Sequence, residues 1–346
     1  MNPAIKELVM DNDPEAASRK GDHIALAFDA QVQPSEIDPR FWYEPFLAAN
    51  PNEIDLTTPF LNKTLKVPIW VSSMTGGTEK AKHINHNLAR ACNEFGMGMG
   101  LGSCRSLLFS NEYLADFHVR PILGPDYPLY ANLGIAQVEQ LVAKKETERI
   151  TDLIDKLQAD GLIIHVNPLQ EFMQPEGDQI LVPPIDTIET ILQTLNISVI
   201  VKEVGQGFGK DSLAKLLQLP LQAIDFAASG GTNFALLELL RDDTDSSQTL
   251  LPLTKVGHSA AEMVELTNQL LMQLGSKAQC RQIIVSGGIH SFLDGFYLTK
   301  KLTVPAVYGQ ASGFLKYAMK DYEQLRAYIL KQIKGLRVAN AYLIPK

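Results

Sequence analysis

Cysteine is scarce, positive charge is outnumbered, and no apolar run is long; each shortage narrows what the chain can be. Cys92, Cys104 and Cys280 are the only three cysteines in 346 residues, and they lie far apart. They cannot all pair, so they read as reduced thiols rather than as a disulfide framework. Lysine and arginine number 31 against 39 aspartates and glutamates, a formal net charge of −8. A nucleic-acid binder wants a basic face, so none is expected here. No stretch approaches the about 20 apolar residues of a membrane span, and the polar, acidic start from Met1 to Glu15 does not read as a secretory signal. A cytoplasmic protein without membrane or nucleic-acid partners is the expectation. Short-period repeats and low-complexity segments are missing as well.

What the chain does have is a rhythm. Eight short apolar runs recur: Val67–Ser73, Gly96–Leu101, Pro128–Asn132, Leu162–Val166, Ser198–Val204, Gln222–Ala227, Gln282–Ser286 and Val304–Gly309. Val199-Ile200-Val201 and Ile283-Ile284-Val285 do not alternate with polar residues, which suits parallel strands buried on both faces. Between the runs lie helical patterns. In Thr78–Phe95 the residues Ala81, Ile84, Leu88, Ala91 and Cys92 mark one apolar face. Ile185–Leu195, Phe234–Arg241 and Ala260–Leu274 read the same way, with a polar acidic loop at 242–248. Eight strands alternating with helices predict an α/β fold, a (β/α)₈ TIM barrel over residues 67–346. Residues 1–66 are expected to form an N-terminal extension with a helix at Asp13–Leu26, interrupted in pattern by Gly21.

In such a barrel, chemistry sits where the strands end. Ser286-Gly287-Gly288 and Gly309-Gln310-Ala311-Ser312 each lie between a strand and a helix near the chain's end. Glycine admits close backbone approach, a helix start offers free N–H groups, and barrels often hold a phosphate with these two final loops. Met74-Thr75-Gly76-Gly77 either lines a flat ligand or merely turns into a helix capped by Thr78. Asn132 and Thr232 offer an amide and a hydroxyl at strand ends. Lys202 follows an apolar run, so it either stabilises an anionic ligand at the mouth or pairs with Glu203 or another barrel acid. The segment His165-Val166-Asn167-Pro168-Leu169-Gln170-Glu171 puts four functional groups at one strand end. One carboxylate with substrate phosphate and water is how Mg²⁺ is usually held. Gln174-Pro175-Glu176-Gly177-Asp178 extends it as a possible lid. Arg19-Lys20 and Arg105 suit a diphosphate; His83 and His86, with no partner pattern, read as surface residues.

These segments together, with Asp22-His23-Ile24, Gly102-Ser103-Cys104-Arg105, Ala131-Asn132-Leu133-Gly134, Val201-Lys202-Glu203-Val204-Gly205 and Gly230-Gly231-Thr232, closely resemble the type 2, flavin-dependent isopentenyl-diphosphate isomerases, over residues 18–320. The resemblance implies an FMN barrel that interconverts isopentenyl and dimethylallyl diphosphate without net redox change. It also implies reduction by NADPH, a need for Mg²⁺, and a homo-oligomer, tetramer or octamer. By the same resemblance Ser73, Met74, Thr75, Ser103, Asn132, Lys202, Thr232, Gly287, Gly288, Ala311 and Ser312 would contact FMN. Arg19, Lys20, Ser103, Arg105, His165 and Gln170 would contact the small-molecule diphosphate. His165 and Gln170 would be catalytic, with Gln170 positioning or relaying a proton, and Glu171 would hold Mg²⁺. Three positions depart from the family: Cys104 replaces a glutamine, His290 an arginine, and Val256-Gly257 a Trp-Gly pair. The rival readings are an FMN-dependent 2-hydroxy-acid oxidoreductase and a non-catalytic flavin-binding redox sensor.

Overall fold

The computed structural model describes residues 15–48, 50–73, 75, 79–241 and 249–346. Met74, Gly76, Gly77, Thr78 and the expected loop 242–248 lie outside them. The chain divides into two compact units, Met1–Phe41 with Lys346, and Trp42–Pro345. Residues 42–66, grouped with the extension in the sequence reading, therefore belong to the barrel unit.

In the first unit a helix covers Ala16–Leu26 and runs through Gly21, although mid-helix glycine costs about 1 kcal/mol against alanine. Ser18 to Leu26 are exposed throughout, Arg19 and Lys20 included. A turn at Pro34–Glu36 is closed by the Gln33 N–H donating to the Glu36 carboxylate at 2.7 Å, and Arg40 pairs with Asp38 at 2.7 Å.

In the second unit all eight apolar runs become strands: β1 Ile69–Val71, β2 Gly98–Gly100, β3 Leu129–Gly134, β4 Gly161–His165, β5 Val199–Lys202, β6 Ala223–Asp225, β7 Ile283–Ser286 and β8 Ala306–Gln310. Every pairing is parallel, each strand neighbours the next in sequence, and β8 closes on β1. Among the described residues, its helices of six residues or more are α1 Glu79–Phe95, α2 Ile135–Lys144, α3 Glu148–Leu157, α4 Pro168–Met173, α5 Pro184–Thr194, α6 Lys210–Leu217, α7 Phe234–Arg241, α8 Ala260–Leu274, α9 Phe292–Lys301, α10 Ser312–Ala318 and α11 Tyr322–Tyr342. The five apolar residues read as one face of α1 are all buried. Side-chain caps start three of the later helices: Ser259 accepts from the Glu262 N–H, Ser291 from Asp294 and Asp321 from Gln324.

Filling the barrel explains β2's composition. Trp70 is fully buried and meets Tyr130 edge-on at 6.2 Å between centroids. A Cβ at Gly98 would come within 2.3 Å of the Trp70 ring, so the indole occupies the space that a side chain would need. An antiparallel hairpin, Thr58–Phe60 with Lys63–Leu65, covers the end where strands begin. Asp160, just ahead of β4, ties it down by accepting from Lys63 at 2.8 Å and Arg120 at 2.7 Å. Chemistry is thereby left to the opposite end. Among the described residues no helix is long and apolar enough to cross a membrane.

Candidate active site

Two cavities open at the carboxyl ends of the strands. The larger, about 350 Å³, is lined by Ser73, Lys202, Thr232, Gly287, Gly288, Ala311 and Ser312 among others. The smaller, about 150 Å³, is lined by Ser73, Ser103, Asn132, His165, Gln170 and Lys202. Ser73, Lys202, Val204 and Phe234 line both. Strand ends from β1 to β8 thus meet at one mouth, as the (β/α)₈ pattern requires.

The larger cavity is walled by backbone. Gly287 has φ +84° and Gly288 φ +68°; a Cβ on Gly287 would fall 2.0 Å from the Ala228 carbonyl oxygen. Only glycine allows this packing, and it leaves peptide groups facing the space. The hydroxyls of Ser72 and Ser73 are buried without a partner among the described residues. A buried polar group left unpaired costs about 1–3 kcal/mol, so these hydroxyls call for a polar ligand.

Lys202 sits at the shared wall, buried, and its Nζ donates to the Glu203 carbonyl at 2.7 Å. The alternative of a Lys202–Glu203 carboxylate pair is not what forms. The Glu203 carboxylate turns instead to its own loop and accepts the N–H groups of Gly205, Gln206 and Gly207 at 2.7, 2.6 and 2.9 Å. Burial still pushes the Glu203 carboxyl above its ordinary range, against the pull of those three donors. In register with Lys202 stand His165 on β4 and Asp225 on β6. Asp225 is fully buried; Ser286 donates to one oxygen, and the other has no partner among the described residues.

Asn132 orients His165. Its Nδ2 donates to the Leu101 carbonyl at 2.9 Å, which turns Oδ1 toward His165 Nδ1 at 2.7 Å. The ring nitrogen must then donate, so that hydrogen-bond network assigns the Nδ1–H tautomer and leaves Nε2 as an acceptor. Burial, and then the Lys202 charge, push the His165 pKa down to about 3.

Gln170 is fixed from both sides: Asn167 donates to its Oε1 at 3.1 Å, and its Nε2 donates to Glu238 at 3.0 Å. Glu238 is buried, pairs with Arg241, and Arg241 reaches Glu176 at 2.7 Å. Sequence reading missed Glu238 and Asp225. The signal was there in both, an acid inside an apolar run (Leu237-Glu238-Leu239, Ile224-Asp225-Phe226), as at Lys202.

Other expected residues stand apart from the two cavities. Arg105 is exposed and donates to Asp178 at 2.6 Å, which also receives Gln137 at 2.9 Å. Glu171 faces a third cleft, about 490 Å³, with Phe172, Gly177 and Asp178; it accepts from Asn167 at 3.0 Å and from the Asp178 N–H at 2.8 Å. Thr75 accepts through its carbonyl from Asn85. Met74 lies outside the described residues, and Arg19 and Lys20 belong to the other unit. Cys104 turns its thiol to the Gly102 carbonyl, and burial pushes that thiol up to about 12. His290 lines the larger cavity. His83 is exposed on α1, and His86 is half-buried. No group of three His, Cys, Asp or Glu among the described residues could hold a metal ion.

A closed parallel eight-stranded barrel, with a glycine-walled cavity at its last two loops and a polar chamber beside it, defines a (β/α)₈-barrel protein whose candidate site lies at the strand ends. No protein-family model matches the chain. It is 35% identical over 305 residues to the isopentenyl-diphosphate delta-isomerase of Rickettsia typhi, covering 87% of this chain and 85% of that protein. It is 38% identical over 270 residues to that of Rickettsia prowazekii, covering 78% and 75%. The chain belongs to the isopentenyl-diphosphate delta-isomerase family. Among solved structures, it resembles a flavocytochrome b2 with pyruvate bound (TM-score 0.57, 14% identity, 87% of this chain and 71% of that one). A mandelate oxidase carrying an FMN adduct is also similar (TM-score 0.55, 11% identity, 87% and 83%). At these identities the likeness establishes the shared barrel.

Proposed function

We propose that this protein interconverts isopentenyl and dimethylallyl diphosphate, using FMN reduced by NADPH and Mg²⁺ on the diphosphate, as a cytoplasmic homo-oligomer, a tetramer or octamer. The observation that carries the reading is the wall shared by the glycine-lined cavity and the His165–Gln170 chamber. A phosphate-tailed flat ring suits that pair of spaces, and the partnerless Ser72 and Ser73 hydroxyls suit its polar edge. When bound, reduced flavin supplies an electron-rich ring and a nitrogen able to exchange protons.

The chain's residues do the rest. The reaction adds one proton at the terminal methylene and removes one from the second carbon, with positive charge on the tertiary carbon between them. Lys202 stabilises negative charge on the ring. His165, neutral, gives the substrate chamber an uncharged wall beside Gln170. Gln170 has no useful pKa; its amide, locked between Asn167 and Glu238, positions or relays a proton. Arg105 has one N–H group on Asp178 and keeps others for phosphate. Each Glu171 oxygen accepts one hydrogen bond, so a lone pair remains on each. One such carboxylate, with diphosphate oxygens and water, fits Mg²⁺.

The test is product analysis with anaerobically reduced, flavin-loaded protein. Dimethylallyl diphosphate should form only when flavin is reduced and Mg²⁺ present, and Glu171→Gln should raise the Mg²⁺ requirement. Stoichiometric oxidation of a 2-hydroxy acid without isomerisation would overturn the reading.

A further inference from the structure

A run of four polar side chains connects the last helix to the wall of the larger cavity. Tyr308 on β8 donates its hydroxyl to Gln332 Oε1 on α11 at 3.0 Å. Gln332 Nε2 donates to Gln310 Oε1 at 3.1 Å, and the Tyr328 hydroxyl, also from α11, donates to the same oxygen at 3.2 Å. Gln310 Nε2 then donates to the Ile289 carbonyl at 3.1 Å. Tyr308, Gln310 and Gln332 are all buried.

This arrangement sets the direction of one amide. A buried glutamine with loose partners could present either end to the cavity. Gln310 cannot, because the Ile289 carbonyl, which only accepts, claims Nε2, and Oε1 then meets Gln332 Nε2 and the Tyr328 hydroxyl from α11. Its nitrogen is therefore forced toward the loop after β7 and the cavity. One N–H is used on Ile289, next to Gly287 and Gly288. The other has no protein acceptor among the described residues, and Gln310 lines the cavity beside Ser312. Burial of such a donor is costly unless a ligand accepts it.

We propose that Gln310 donates its remaining N–H to the phosphate of the bound flavin, and that Gln332 and Tyr328 are positioning residues that aim it. Preference for phosphorylated over unphosphorylated flavin is then set partly by a helix that does not line the cavity. The inference rests on the FMN reading above.

The experiment titrates flavin-free full-length protein with FMN and, separately, with riboflavin, following flavin fluorescence. Gln332→Met should raise the Kd for FMN about tenfold, the size of one hydrogen bond to a charged group, and leave that for riboflavin within about twofold. Gln332→Glu keeps an acceptor for Tyr308 but offers Gln310 no donor, so it should behave like Gln332→Met. Tyr328→Phe removes a single hydroxyl and should weaken FMN alone by two- to threefold; it carries the test should the Gln332 variants fail to fold by circular dichroism. Equal weakening for both flavins, or unchanged FMN binding, overturns the proposal while leaving the cofactor reading intact. Wild-type protein that binds neither flavin overturns both.

Discussion

His165 is held neutral by its surroundings, and that has a consequence for stability. Its ordinary value is 6.5 and its folded value about 3. Between those values the unfolded chain binds a proton that the folded one refuses. Stability contributed by this group is therefore complete above about pH 6.5 and falls as pH drops toward 3. His165→Asn removes the effect. Urea midpoints from pH 7 to pH 4.5 should fall further in the wild type than in the variant; parallel curves would contradict the assignment. The residue type and its place at a strand end are readable from sequence. Its tautomer is not, because that depends on Asn132, 33 positions earlier, whose own amide is oriented by Leu101.

Among the elements, the loop after β5 rests on one side chain. Glu203 takes three successive backbone N–H groups, and its loop supplies Val204 and Gly205 to the cavity wall. Glu203→Ala leaves those donors without their acceptor, at about 1–3 kcal/mol for each that water does not reach. A loss of at least about 3 kcal/mol in urea unfolding is expected, together with weaker flavin retention. A loss below about 1 kcal/mol would show that the loop holds itself. Strand and helix existence was legible from periodicity because burial imposes it. The helices Phe234–Arg241 and Ala260–Leu274 have the expected bounds, and α1 buries the expected face. The hairpin at 58–65 gave no such signal, since its three-residue strands are too short to show a period.

At the scale of the whole molecule, packing decides thiol chemistry. Cys92, Cys104 and Cys280 are unpaired and fully buried in the barrel unit, and burial raises all three thiols. Native protein should give no reaction with a thiol reagent at neutral pH, and three equivalents once unfolded in guanidinium. Fast labelling of one native cysteine would mean that its packing opens readily. The closed barrel follows from local pattern, since eight buried apolar runs with helical partners can satisfy their backbone and bury their faces in few other ways. Glycines at the last loops and the lysine that ends β5 were likewise visible as residue types out of place in their runs. What required the tertiary structure was every relation between distant positions. Such relations include Glu238 behind Gln170, Asp178 on Arg105, and Gln332 aiming Gln310. Periodicity reports which face of an element is buried; it carries no information about which side chain of another element will meet that face.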